Sequence, residues 1–313
     1  MDVLVTGGAG FIGSHIIDKL LELDCSVICL DNFDQYYDVN LKRRNIEHHL
    51  MDDKFKLVEG DIRDFGLLKN IIRDNDIEII FHEAAQPGVR ASVENPSKTH
   101  ETNATGTLNV LEASRLIDIE KVIFGSSSSV YGKVKYLPLD EKHPNIPISP
   151  YGVSKLMAEN YCRVYSEIYG LKTTTLRYFS IYGPRMRPDL AISIFTKKAL
   201  NGKDIEIFGD GEKTRDFTYI TDVVDASIKA IEKGDGEIYN IGGNDRVSIN
   251  ELAHKIIDIT GSKSKIIHTS PQKGDVEHTW ADINKARRAL GYNPRIDIDE
   301  GLKRYIEWYQ AIE

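Results

Sequence analysis

Short apolar runs alternate with longer amphipathic segments through the first half of the chain. The runs are rich in β-branched residues and predict strands at 3–6, 26–31, 56–59, 77–82, 121–126 and 172–177. Between them, apolar positions recur with a helical period at 12–23, 66–73, 99–114 and 151–169. This alternation predicts an α/β fold of the Rossmann type, a doubly wound parallel sheet with helices on both faces. Ligands of such sheets bind beyond the carboxyl ends of the strands, where the strand order reverses.

The pattern changes after residue 176. Turn-rich segments follow at 183–188 and 209–211, residues 219–241 have the pattern of one further helix and strand, and Ile298–Ile312 is helical. We therefore predict a dinucleotide-binding domain of residues 1–176, to which 216–243 returns. The segments 177–215 and 244–313 are expected to form a smaller α/β substrate-binding lobe.

Composition narrows the class of protein. The 313 residues are 41% hydrophobic and 28% charged, which suits a folded core. The net charge of −8 argues against a nucleic-acid partner. No apolar run reaches the ~18 residues that cross a bilayer, and no basic-then-apolar leader follows Met1. We expect a soluble, cytoplasmic protein without a membrane partner.

Cysteine and histidine patterns give no metal site. The three cysteines (Cys25, Cys29 and Cys162) include no Cys-x-x-Cys pair, so buried free thiols are expected. His48 and His49 are adjacent, and neighbouring side chains on a helix diverge by ~100° with no third ligand evident.

A glycine-rich motif lies at the first strand–helix junction, and it comprises Gly7, Gly8, Ala9, Gly10, Phe11, Ile12 and Gly13. Gly7 and Gly10 permit a tight turn and a close approach of the backbone to a pyrophosphate, which the helix N-terminus stabilises. Gly13 lets the helix pack closely against the strand. The placement predicts a dinucleotide site.

The second predicted strand ends in Asp31 and Asn32, about 20 residues beyond the glycines. A carboxylate there accepts both hydroxyls of an adenosine ribose and repels a 2′-phosphate. The cofactor is therefore predicted to be NAD rather than NADP.

Two nearby features leave alternatives open. Arg43 and Arg44 keep NADP open, although a solvated helix face explains them as well. Asp61 and Ile62 follow the third strand, where they meet the adenine edge or, for Asp61, form an exposed turn.

Tyr151 and Lys155 are four residues apart, so a helix places them on one face about 6 Å apart along its axis. A tyrosine base at neutral pH needs its pKa of about 10 lowered by roughly three units. Lys155 and a nicotinamide cation can supply that, although the pair alone is also typical of an ordinary amphipathic helix. The serine run at 126–129 ends the fifth strand, where hydroxyls can bond a substrate hydroxyl that becomes a carbonyl, or simply form a polar loop.

With the later segment 215–220, these motifs resemble the extended short-chain dehydrogenase/reductase family, specifically its nucleotide-sugar 4-epimerases, over essentially the whole chain. The resemblance implies that Tyr151 is the catalytic base, Lys155 its activator and ribose ligand, and Ser127 the hydroxyl partner. It also implies further NAD-site positions, which are Ala84, Ala85, Gln86, Asn103 and Tyr178.

The same resemblance separates several chemistries. Dehydratase relatives carry Asp-Glu before Val-Tyr-Gly and decarboxylases carry Glu, whereas this chain has Ser128 and Ser129. The implied reaction is a 4-epimerisation in which hydride leaves sugar carbon 4, a 4-keto sugar turns in the site, and hydride returns to its other face. A nucleotide-sugar dehydratase or reductase, or a non-catalytic NAD sensor, is the less favoured alternative.

Galactose-type 4-epimerases have Asn after Arg-Tyr-Phe, where this chain has Ser180. The runs at 31–40, 86–92 and 177–189 are similar to UDP-glucuronate 4-epimerases, in which a hydroxyl residue and an arginine seven positions later bind the substrate carboxylate. Ser180 and Arg187 hold these positions. UDP-glucuronate is therefore the expected substrate, and UDP-glucose, UDP-galactose or an N-acetyl analogue is the alternative.

The remaining expected substrate contacts are Ser128, Arg215, Gln272 and Asp275. Arg215 suits a pyrophosphate through its bidentate guanidinium, with a surface ion pair to Asp216 as the alternative. In related enzymes the helices that correspond to 99–114 and 151–169 pair across a four-helix interface, which implies a homodimer.

Overall fold

The structure is a computed structural model that describes residues 1–270 and 276–312. Its strands are β1 (Asp2–Thr6), β2 (Ser26–Asp31), β3 (Phe55–Glu59), β4 (Ile79–His82), β5 (Lys121–Ser127), β6 (Lys172–Tyr178), β7 (Ile181–Tyr182), β8 (Ile205–Phe208), β9 (Thr214–Tyr219), β10 (Glu237–Ile241), β11 (Asp245–Ser248) and β12 (Ile266–Thr269).

Its α-helices are α1 (Phe11–Glu22), α2 (Val39–Ile46), α3 (Phe65–Asp74), α4 (Val89–Glu94), α5 (Pro96–His100), α6 (Gly106–Ile117), α7 (Pro150–Tyr169), α8 (Ala191–Leu200), α9 (Ile220–Lys229), α10 (Ile249–Thr260), α11 (Asn284–Leu290) and α12 (Ile298–Ile312). A π-helical turn, Glu101–Thr105, joins α5 to α6. No helix in the described part of the chain is long and apolar enough to cross a membrane.

Seven parallel strands form the central sheet, in the order β10-β6-β5-β4-β1-β2-β3. The chain runs outward from β1 through β2 to β3, and then crosses back to β4 on the other side of β1. This reversal between β1 and β4 is the switch point at which doubly wound sheets bind ligands. The predicted Rossmann-type fold is confirmed.

Burial on both faces explains why the strands are so apolar. Successive side chains of a strand point to opposite faces, and on β1 Val3 and Val5 join one hydrophobic cluster while Leu4 joins the other. The first cluster includes side chains of α1 and α9, and the second those of α3, α6 and α7. Helices therefore cover both faces, as the alternating pattern predicted.

The region after β6 contains two small sheets, one of order β11-β9-β7 and one that pairs β12 with β8. β10 lies parallel to β6 in the central sheet, so the predicted helix and strand within 219–241 do return to it. The sequence pattern did not predict the two-residue strand β7, which is too short to show a period. All three cysteines are buried and free, as expected.

Candidate functional site

A cavity opens at the switch point, and many of the predicted cofactor residues line it. These are Gly7, Gly10, Phe11, Ile12, Gly13, Asp31, Asn32, Ile62, Ala84, Ala85, Gln86, Tyr151, Lys155 and Tyr178. Residues from 7 to 178 therefore meet in one place, because the carboxyl ends of parallel strands lie at one edge of the sheet.

The glycine-rich turn fits a bound pyrophosphate. Gly7 has a φ of 68°, and a Cβ there would lie 2.7 Å from backbone atoms of Ala84. A Cβ on Gly13 would lie 2.4 Å from the Gly7 carbonyl oxygen, so the close packing of α1 on this turn requires glycine. Gly10 caps α1 without a side-chain hydrogen bond, which leaves the helix N-terminus available to an anion.

Asp31 lines the cavity beside the glycine-rich turn. Its carboxylate accepts the backbone N–H of Phe33 at 2.8 Å and that of Ala9 at 3.2 Å, and burial raises its pKa. Arg43 is paired instead with Glu59, with its Nη1 2.9 Å from Oε1. This guanidinium lies on a solvated helix face, which favours a cofactor with a free ribose 2′-hydroxyl.

Two residues that were predicted to contact the cofactor do not line the cavity but bind residues that do. Asp61 accepts from Nε and Nη2 of Arg63 at 2.9 and 2.8 Å, and this pairing lowers its pKa to about 2. Arg63, which the sequence reasoning missed, lines the cavity itself. Asn103 accepts from the backbone N–H of Gln86 at 2.7 Å and donates to its carbonyl at 3.1 Å, so it orients Gln86.

Tyr151 and Lys155 lie in the first turns of α7, whose start is fixed by the Ser149 side chain, a hydrogen-bond acceptor for the N–H of Gly152. Lys155 is buried, and its ammonium donates to the Gly125 carbonyl at 2.6 Å. Desolvation lowers the Lys155 pKa to about 8. The predicted i,i+4 placement is confirmed, and it brings both side chains to the cavity.

Burial raises the pKa of Tyr151 above its usual value. Arg187 and Ser127 lower this pKa, and Glu83 raises it further. Lys155 and a nicotinamide cation were expected to lower this pKa, but the Lys155 ammonium donates to the Gly125 carbonyl. Arg187 is therefore an unexpected second cation for the phenol.

The serines at the end of β5 have different roles. Ser126 donates to Glu159 at 2.6 Å, and Glu159 forms a buried two-point ion pair with Arg177. Ser127 caps the following turn and lies in reach of the Tyr151 phenol. Ser128 opens that turn outside the cavity lining.

Arg187 reaches the Tyr151 cavity from the segment after β7. Its Nε and Nη2 donate to the two carboxylate oxygens of Asp189 at 2.9 and 3.1 Å. The Tyr36 hydroxyl also donates to Asp189, at 2.9 Å. Ser180 lies at the bend between β6 and β7 with a φ of 27°, and its carbonyl accepts the N–H of Thr218. Sequence reasoning missed Tyr36 and Asp189, although the latter lies two residues beyond Arg187.

Other predicted substrate residues do not line this cavity. Arg215 donates from Nη1 to the carbonyls of Thr214 and Glu277. The alternative of a surface ion pair with Asp216 is wrong, because Asp216 is fully buried and accepts the backbone N–H groups of Gly243, Asn244 and Ala281. Gln272 and Asp275 lie outside the described residues.

Glu83 is the most notable residue that sequence reasoning missed. It lines the cavity, accepts the Tyr178 hydroxyl at 2.8 Å, and has its pKa raised to about 7 by burial. Its signal in the sequence was a carboxylate directly after an apolar strand, where strand ends in doubly wound sheets place ligand contacts.

The two adjacent histidines meet a third side chain after all. Nε2 of His48 and Nε2 of His49 lie 3.2 and 2.7 Å from the same Asp18 oxygen. The expectation of no third group was wrong, because α1 brings Asp18 to a residue pair about 30 positions away. Arg185 also donates to Asp18 at 2.8 Å, so the carboxylate already has a cationic partner, and we assign no metal there.

The fold agrees with comparisons to known proteins. The model of the GDP-mannose 4,6 dehydratase family matches residues 4–305. This chain belongs to that family. The family lies within the extended short-chain dehydrogenases/reductases, as the motifs indicated.

Three relatives illustrate the similarity. A putative UDP-glucose 4-epimerase of Methanocaldococcus jannaschii is 44% identical over 98% of this chain and 97% of its own. A UDP-glucuronate 4-epimerase of Thermodesulfobacterium geofontis is 40% identical over 97% and 95%. The crystal structure of UDP-glucuronic acid 4-epimerase from Bacillus cereus, in complex with UDP-glucuronic acid and NAD, is 37% identical, covers 100% of both chains and superposes with a TM-score of 0.95.

Proposed function

We propose that this protein is an NAD-dependent 4-epimerase that interconverts UDP-glucuronate and UDP-galacturonate. The observation that carries the proposal is the presence of the Arg187 guanidinium in the same cavity as Tyr151 and Lys155. An arginine gives a carboxylate a charge-assisted hydrogen bond that a neutral hydroxymethyl group cannot match. The named activities of the relatives from T. geofontis and B. cereus support the same substrate.

The residues of the cavity fit NAD. The glycine turn and the N-terminus of α1 hold the pyrophosphate, Asp31 accepts the adenosine ribose hydroxyls, and Lys155 holds the second ribose. When bound, the nicotinamide accepts a hydride from sugar carbon 4 and returns it. Ala84, Ala85, Gln86 and Tyr178 form the wall along this part of the cavity.

The side chains move and hold one proton. Tyr151 takes the proton of the sugar 4-hydroxyl and gives it back after the 4-keto sugar has turned, with Ser127 bonding the same oxygen. Arg187 and Ser127 favour the phenolate, which opposes the burial that raises the Tyr151 pKa. Ser128 and Ser129 stand where dehydratase relatives carry Asp-Glu, which favours epimerisation over loss of water.

UDP-glucose is the second candidate substrate, and one feature of the site favours it. Two nitrogens of Arg187 are already occupied by Asp189, so a neutral sugar does not leave this guanidinium unpaired. The M. jannaschii relative bears the name of a UDP-glucose 4-epimerase. Ser180 and Arg215 are proposed contacts of the sugar and the pyrophosphate, respectively, in either case.

We further propose that the enzyme is a cytoplasmic homodimer. The buried free thiols fit a reducing compartment. Apolar side chains are exposed on neighbouring helices α4, α6 and α7, and these are Val93, Leu116, Val153, Ile168 and Tyr169. Grouped exposed apolar side chains indicate an interface between proteins, and helices α6 and α7 are those for which an interface was predicted.

The direct test is to supply UDP-glucuronate, UDP-glucose and their N-acetyl analogues separately and to identify products by NMR. UDP-galacturonate is expected from the first, and turnover of UDP-glucose alone would contradict the uronate assignment.

Tyr151→Phe should abolish turnover while NAD binding is retained, because only the proton acceptor is lost. Tyr136→Phe, at an exposed tyrosine remote from the cavity, is the matched control. Turnover by Tyr151→Phe would show that another residue is the base.

A further inference from the structure

Glu83 is a partly buried carboxyl group to which the proposed reaction gives no role. It follows β4 directly and shares the cavity wall with Tyr151, Lys155 and Tyr178. A carboxylate in such a place costs free energy to desolvate unless a partner stabilises its charge. Its contacts therefore indicate what it serves.

Glu83 contacts Tyr178 and Gly125, and Gly125 also contacts Lys155. The Tyr178 hydroxyl, which also lies 3.3 Å from Ser227 Oγ, donates to Oε1 of Glu83. The other oxygen lies against Gly125, where an added Cβ would be 2.3 Å from Oε2. The carbonyl of the same Gly125 accepts the Lys155 ammonium at 2.6 Å. Glu83 and Lys155 thus meet at one residue of β5.

The other titratable groups around Lys155 either have an ion-pair partner or are neutral. Glu159, on α7 itself, is held in the two-point ion pair with Arg177. The Cys162 thiol on the same helix has a raised pKa and stays neutral. On β4, burial lowers the pKa of His82 to about 3, so this ring is neutral too. Glu83 accepts a hydrogen bond from a neutral phenol, so above its own pKa of about 7 its negative charge acts on Lys155.

The Glu83 carboxylate also raises the pKa of Tyr151, which opposes the loss of the Tyr151 proton. Arg187 and the Ser127 hydroxyl lower the Tyr151 pKa, whereas the Glu83 charge raises it. For Lys155, the Glu83 charge is the largest influence that opposes the loss of its proton on burial. One carboxylate therefore acts on both members of the pair.

We infer that Glu83 is a positioning residue whose carboxylate keeps Lys155 protonated and sets the pH range in which Tyr151 and Lys155 act together. The part concerning Tyr151 rests on the proposed function, and the part concerning Lys155 does not.

Glu83→Gln separates charge from shape, because the amide keeps an oxygen for the Tyr178 hydroxyl. Without the negative charge, the pKa values of both Lys155 and Tyr151 fall. The active form has Tyr151 without its proton and Lys155 with its own, so the pKa values of both groups set the limits of the kcat/KM profile. Both limbs of the kcat/KM profile should therefore move to lower pH, by about one unit for the loss of one neighbouring charge. A merely structural role would lower the profile without moving it.

The first measurement follows Lys155 itself and needs no turnover. Protein with bound cofactor is labelled with ¹³Cε-lysine and titrated by NMR, and Lys155→Met identifies the resonance. The Lys155 midpoint of the natural protein with bound cofactor is the reference value. In Glu83→Gln it should fall by about one unit. Glu141→Gln is the control, since Glu141 is another carboxyl with a raised pKa that accepts a backbone N–H far from Lys155.

A Glu83→Gln midpoint within about 0.3 unit of the natural protein would overturn the inference, because losing the charge that most opposes deprotonation of Lys155 should shift this buried ammonium further. The second measurement is the pH profile with whichever UDP-sugar is turned over. Glu83→Asp, which keeps the charge, should leave both limbs in place, and limbs that move as in Glu83→Gln would count against a charge effect. If the amide variant does not fold, Glu83→Leu replaces it in both measurements. If no UDP-sugar is turned over, the proposed function fails while the NMR titration still decides the role of Glu83.

Discussion

At the scale of single residues, the choice of sugar depends on how Arg187 shares its hydrogen bonds. Asp189 takes two of its nitrogens, and Tyr36 holds Asp189 in place from the segment after β2. A substrate carboxylate must therefore compete with, or share, a guanidinium that already has a partner. Asp189 is thus expected to tune the preference between charged and neutral sugars.

Asp189→Asn tests this competition. Removing the charge leaves Arg187 without its anionic partner, so the ratio of kcat/KM for UDP-glucuronate to that for UDP-glucose should rise about tenfold, equivalent to about 1.4 kcal/mol. Arg187→Ala should lower kcat/KM for both sugars, because Arg187 lowers the Tyr151 pKa, with an additional loss of about 100-fold for the uronate. Equal losses for both sugars would contradict a carboxylate contact. Both variants are compared under the same conditions by product NMR.

At the scale of secondary structure, the site depends on how closely α1 approaches the turn after β1. The Gly13 Cα packs on the Gly7 carbonyl and on Gly8, so the helix N-terminus faces the place proposed for the pyrophosphate. Tyr151 and Lys155 depend in the same way on the start of α7 at Pro150, which Ser149 caps. Helix starts, rather than helix interiors, position the chemistry.

Gly13→Ala should therefore cost both stability and cofactor affinity. The added methyl group would lie 2.4 Å from the Gly7 oxygen and must displace α1, at a cost of about 1–3 kcal/mol in the free energy of unfolding. Gly66→Ala in the first turn of α3 is the matched control, because its Cβ would meet Asp64 at an ordinary 3.4 Å. Urea unfolding and NAD titration measure the two effects. Equal midpoints for the two variants would contradict the packing argument.

At the scale of the whole molecule, the outer face of α6 and α7 is the surface left to explain. Tyr165 donates to Glu112 across these helices at 2.9 Å, and Arg115 lies over the Tyr169 ring, so side-chain contacts hold the two helices together. Ile168 is 69% exposed on this face. Such a surface suits a second copy of the chain.

Ile168→Asp should convert the proposed dimer to a monomer, because the new charges would be desolvated against each other across a twofold interface. Size-exclusion chromatography with light scattering reads the mass directly. Leu50→Asp, at a comparably exposed apolar residue outside these helices, should leave the mass unchanged. A monomeric natural protein would contradict the proposed assembly.

The sequence alone determined the features that depend on local geometry. The strand–helix alternation, the glycine turn, the acid at the end of β2 and the four-residue spacing of Tyr151 and Lys155 were all predicted, since backbone period and turn chemistry fix them. The lobe boundaries and the roles of Ser180 and Arg215 stay predictions. Tertiary structure decided which side chains meet. Glu83 reaches Tyr178 across 95 positions and Tyr36 reaches Asp189 across 153, and these pairings depend on the strand order and on the crossover from β3 to β4. Burial, which raises the Tyr151 pKa and lowers that of Lys155, likewise exists only once the sheet and its helices have packed.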